Sequence, residues 1–129
     1  MVRAAACVRV DGSVVDVAVK AGTQHFVAQR VTAIVLVFLG LWFVVSIIGL
    51  DVLAYGVVVA FVADPLNVFL LTLLTATLAY HSHIGVQVVI EDYVHARGIK
   101  MASLIASRLA HVLVAIASIY AIIRIGLDA

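Results

Sequence analysis

The sequence predicts an all-α integral membrane protein built on three transmembrane helices, and three observations carry that expectation. Of its 129 residues, 66% are hydrophobic and only 12% charged, and the mean hydropathy is +1.27, far from the balance of a water-soluble domain. Three apolar stretches, Val31–Leu50, Leu66–Ile90 and Met101–Ile123, each reach the roughly 20 residues that cross about 30 Å of hydrocarbon. A helix is the only single-segment solution there, because lipid offers nothing to bond a free backbone N–H or C=O. A soluble bundle with a very apolar core is the competing reading. Val31–Leu50 argues against it, having neither a charge nor a polar face. Helices are therefore expected over about 31–50, 66–90 and 101–125, within a membrane domain covering residues 25–129.

Ahead of them, residues 1–24 are expected as an N-terminal cytoplasmic tail. Their apolar runs are short and broken by Asp11, Asp16 and Lys20, which leaves no hydrophobic region of a secretory signal. The same acids disfavour a mitochondrial presequence, so a bacterial inner (plasma) membrane is expected. Val8–Val14 reads either as a small hairpin turning at Asp11-Gly12 or, preferred, as a loosely ordered tail that docks on a partner. Cys7 is the single cysteine, so no intrachain disulfide can form.

Charge sets the expected orientation. Arg3, Arg9, Lys20 and Arg30 precede or open helix one, and Arg97 and Lys100 fill the link between helices two and three. The link between helices one and two, Asp51 to Pro65, has no Lys or Arg and carries Asp51 and Asp64. By the positive-inside rule the N-terminus and the second link face the cytoplasm. Arg124, near the far end of helix three, is the exception. Asp64-Pro65 marks the start of helix two, an acid before a proline tolerated in the first turn.

Helix two holds the chemistry. His81 and His83 stand in an otherwise apolar segment that closes with Glu91, Asp92 and Tyr93. Ionisable groups inside a membrane are costly and mark functional sites, and neutral imidazole is a common axial ligand of haem iron. Two residues apart on a helix, the rings project about 200° apart and cannot both face one ligand. Thr77 and Gly85 share the strip of His81, one turn either side. That strip leaves room for a flat macrocycle, with Thr77 placed to orient the imidazole through a hydrogen bond. Either histidine could equally be a hydrogen-bonded packing residue. In helix three, Arg108 reads as snorkelling to the cytoplasmic surface or as pairing with a carboxylate, and His111 as an alternative partner for it. Gly40, Gly49 and Gly56 suit close helix approach, as do Ser103, Ala106, Ser107 and Ala110.

The run His81-x-x-x-Gly85 followed by Asp92-Tyr93 resembles the smaller membrane-anchor subunit of succinate dehydrogenase, the D subunit of respiratory complex II. The stretch Gly22 to Ile34, reading GTQHFVAQRVTAI, is similar to that family's entry into its first helix. The resemblance covers about residues 22–125. The Arg-His-Leu run expected of the companion C subunit is absent.

The resemblance implies a role in succinate:ubiquinone oxidoreductase, carrying electrons from succinate, a substrate of the tricarboxylic acid cycle, to quinone. The chain would be one of two anchors, partnered by a second membrane anchor subunit (C), an iron–sulfur subunit (B) and a flavoprotein subunit (A). It would be non-catalytic alone. His81 would be an axial ligand of haem b shared with the C subunit, and Gly85 would lie against the same group. Tyr93 would bond a carbonyl oxygen of ubiquinone, with Asp92 supporting that site and Arg30 serving both the quinone pocket and a haem propionate. At His83 the better-known bacterial members carry tryptophan, and Gln24-His25 departs from a His-Asp pair, so neither place takes over a family role. Two other readings stay open: an anchor of a fumarate reductase or other quinone-reactive complex, and a small non-redox transporter or assembly subunit using His81, His83 and Arg108.

Overall fold

A computed structural model describes residues 12–128, with side chains from residue 23 onward. The chain is helical throughout its membrane-crossing parts. Helix α1 runs Gly12–Ile48, α2 Tyr55–Ala63, α3 Pro65–Tyr93 and α4 Arg97–Asp128. Three of these, over Thr23–Ile48, Pro65–Tyr93 and Arg97–Asp128, are long and apolar enough to cross a membrane, as the sequence predicts.

Two features differ from the sequence expectation. Helix α1 begins at Gly12, well before Val31, so about half of the segment assigned to a tail is part of the first helix, 37 unbroken residues in all. Propagating a formed helix costs far less than nucleating one. Of the proposed hairpin, residues 8–11 lie outside the described residues, while Gly12, Ser13 and Val14 open α1. The second difference is α2, nine residues inside what reads as a plain link. Its valine-rich sequence favours strands in water, but near lipid a helical turn satisfies its own backbone. Phe61 of α2 also stacks on Trp42 of α1, ring centroids 6.3 Å apart.

Asp64 ends α2 and starts α3. Its side chain accepts from the backbone N–H groups of Leu66 at 3.0 Å and Asn67 at 3.2 Å, filling orphan donors of the first turn. Pro65 at the start of α3 gives up an N–H that had no helical partner. Asn67 Nδ2 donates to Phe61 O at 2.8 Å, locking the corner between α2 and α3. At the opposite end, Lys100 Nζ donates to the Glu91 carbonyl at 2.8 Å, tying the start of α4 to the last turn of α3.

Helix α3 is central. It packs against α1 on one side and α4 on the other, α2 touches α3 and α4, and α1 and α4 do not meet among the described residues. The spans thus stand in a row, with an open groove of about 570 Å³ over α3 that Phe43 of α1 and His111 and Ala115 of α4 border. Among the described side chains only Leu39, Leu71 and Ile84 are buried. Neighbours run antiparallel: His81 faces Thr32, and Ser82 faces His111. The start of α1, the end of α3 and the start of α4 therefore share one end of the layer. Gly126 marks a close approach of α4 to α3, where an added Cβ would stand 2.7 Å from Val68 Cγ2.

Candidate functional site

His81 sits on the face of α3 that meets α1, and its ring is half-buried. Its Nδ1 lies 2.9 Å from Thr32 Oγ1 of α1. Among the described residues its Nε2 makes no hydrogen bond. The sequence points to Thr77 as the orienting hydroxyl, but the partner is Thr32. Thr77 stands on the same helix as His81, whereas Thr32 approaches from across the helix pair.

Around His81 a trough of about 240 Å³ opens between the two helices, lined by Phe26, Gln29, Arg30, Ala33 and His81. Arg30 crosses it, with its guanidinium carbon 4.8 Å from the centroid of the Phe26 ring, a cation–π contact that holds the charge. Gly85, one turn after His81, faces Gln29 of α1. The nearest atom to an added Cβ is Gln29 Nε2 at 3.7 Å. Gln29 Oε1 and His25 Nε2 are buried without a hydrogen-bond partner among the described residues. Buried polar atoms normally find partners, and these two stand on one strip of α1; His83 Nδ1 on α3 is a third such atom among the described residues. The signal of the α1 strip in sequence is the helical spacing of His25, Gln29 and Thr32.

The structure brings Arg30 to His81. It does not bring Arg30 to Tyr93. Continuing the antiparallel register at 1.5 Å per residue sets Tyr93 roughly 14 Å along the axis from Arg30. Tyr93 is 80% exposed at the last turn of α3, beside exposed Asp92. His95 Nδ1 lies 3.2 Å from the Tyr93 carbonyl, which holds the turn but leaves the phenol free to project.

On the other side of α3 a second polar group gathers. His111 Nδ1 donates to the Ser107 carbonyl at 2.7 Å, which leaves Nε2 to accept from the Ser82 hydroxyl at 3.1 Å. Both ring nitrogens are thus used within the chain, and His111 is a packing residue rather than a partner for an outside carboxylate. His83 lies beside it, ring centroids 5.6 Å apart, and lines a second concavity of about 400 Å³ with Tyr80, Arg108 and His111. The paired histidines of the sequence therefore line different concavities, as the 200° offset predicts.

The description "Succinate dehydrogenase/Fumarate reductase transmembrane subunit" fits residues 16–122 of this chain. A succinate dehydrogenase hydrophobic membrane anchor subunit of Rickettsia bellii (strain RML369-C) is 32% identical over 107 residues, covering 83% of this chain and 86% of that protein. The subunit of the same description in Rickettsia typhi (strain ATCC VR-144 / Wilmington) is 29% identical over 103 residues, 80% of this chain and 82% of its own length. Three membrane-length helices, a match spanning nearly all of them and a polar site on the central one agree: this chain belongs to the succinate dehydrogenase/fumarate reductase transmembrane subunit family.

Proposed function

We propose that this chain is the smaller membrane anchor of a bacterial succinate:ubiquinone oxidoreductase, holding haem b through His81 and contributing Tyr93 to the quinone site. The observation that supports it is the α1–α3 trough. It sets a histidine with one unused ring nitrogen beside a cation and a glycine-lined strip, the donor set that suits a ferrous or ferric porphyrin with an acidic edge. Such a group, when bound, supplies one-electron storage near the quinone.

In this reading His81 would hold the group through Nε2, Arg30 would pair with a propionate, and Gly85 would lie against the ring. A trough open on one side cannot enclose a macrocycle. A second anchor subunit would close it and hold the group from its other side. Tyr93 and Asp92 lie roughly 18 Å along α3 from His81 at 1.5 Å per residue, at the level where a phenol is favoured at the membrane surface. There Tyr93 donates its hydroxyl proton to a quinone carbonyl oxygen, with water and Asp92 near enough to deliver protons. We assign Arg30 to the haem edge and not to the quinone, because it shares the trough of His81. Lys100, Arg97 and the Tyr93 end of α3 face the cytoplasm by the positive-inside rule, where the iron–sulfur and flavoprotein subunits dock and succinate is oxidised.

The test uses the complex purified from membranes. His81→Ala should remove or alter the haem b band in a reduced-minus-oxidised spectrum. Tyr93→Phe should lower quinone reduction while succinate oxidation with artificial acceptors stays near wild type. If both variants behave as wild type, the proposal is wrong.

A further inference from the structure

The family resemblance gives Thr32 no role at the site, yet its hydroxyl is the direct partner of the histidine. Oγ1 lies 2.8 Å from the Ala28 carbonyl oxygen one turn back on α1 and 3.2 Å from that of Gln29. Carbonyl oxygens only accept, so the hydroxyl proton is directed to the backbone, as helical threonines favour. The oxygen is then left to accept, and His81 Nδ1 faces it at 2.9 Å.

We infer that Thr32 is a positioning residue for haem: it takes the Nδ1–H of His81, fixes that tautomer, and leaves the Nε2 lone pair to iron. This rests on the reading of His81 as the axial ligand. A metal-bound histidine generally gives its other N–H to a fixed acceptor, which sets the ring plane and raises the basicity of the ligating nitrogen. In most sites that acceptor is a carbonyl or carboxylate. Here the acceptor is a hydroxyl whose own proton is tied to α1, so the backbone of the first helix controls the ring on the third element. The arrangement also satisfies a half-buried N–H without placing a second charge in the membrane.

Loss of the acceptor makes the imidazole a poorer electron donor, which destabilises ferric more than ferrous iron. The expected sign is therefore a more positive haem potential. In the purified complex, Thr32→Val should raise the midpoint potential of haem b, shift its low-temperature electron paramagnetic resonance lines, and weaken haem retention against an apo-haem acceptor about 10–100-fold. Thr32→Ser keeps the hydroxyl and should restore all three. Thr77→Val, which removes the threonine on His81's own helix, should leave them at wild type. Thr32→Ala applies the same test without added bulk if the valine variant fails to assemble. A Thr32→Val or Thr32→Ala complex with wild-type potential, lines and retention overturns the inference, as does a shift produced by Thr77→Val. When His81→Ala in parallel still changes the haem, only Thr32's role falls; when it does not, the ligand reading falls too.

Discussion

Gly85→Ala separates the fold of this chain from whatever lies against its central helix. In the helix pair alone the new methyl is harmless: the nearest atom is Gln29 Nε2 at 3.7 Å, ordinary contact with the movable end of a side chain. Alanine is favoured over glycine inside a helix by about 0.8–1 kcal/mol, so the bundle should hold or gain slightly. A macrocycle ligated one turn earlier by His81 would lie on this strip, and the methyl would intrude on it. Overpacking of a fitted surface costs about 1–3 kcal/mol, which converts to a loss of roughly 5- to 150-fold in haem affinity. The assay pairs haem content and retention in the purified complex with the temperature at which the complex dissociates. The expected result is weakened haem retention with helix packing intact. Wild-type haem affinity would refute the placement of the cofactor against Gly85.

Two further substitutions test the frame that carries the site. Asp64→Ala removes acceptors for two backbone N–H groups and should destabilise the α2–α3 corner by about 0.5–2 kcal/mol, measured as a lower thermal midpoint of the complex; Asp64→Asn should recover most of it. Gly126→Ala drives a methyl into Val68, whose branched side chain has little rotamer freedom in a helix. It should cost about 1–3 kcal/mol in the same measurement, and adding Val68→Ala should relieve it; a single variant as stable as wild type would refute the tight crossing.

The spans were legible because their signal is length and hydropathy, which need no knowledge of neighbours. His81 was legible for a related reason: a histidine in such a segment is costly enough to be noticed, and the 200° offset from His83 follows from helix geometry alone. The start of α1 was hidden because Asp16 and Lys20 lower the local hydropathy without interrupting the helix. Short α2 was hidden because its valines read as strand, and its anchor on Trp42 is tertiary. Thr32 was missed because its contact crosses between helices. Thr77 shares a strip with His81 by sequence spacing, but the register of α1 against α3 fixes which hydroxyl meets the ring. The packing role of His111 depends in the same way on Ser82 arriving from α3.

The row of spans, with α1 and α4 on opposite flanks of α3 and only three withdrawn side chains among the described residues, has a consequence for how the molecule persists. A lone copy has little internal cohesion, and its upright posture comes from bilayer thickness and lipid contact. Its two broad faces are apolar along the spans, so they are left for lipid or for other subunits of the complex to cover.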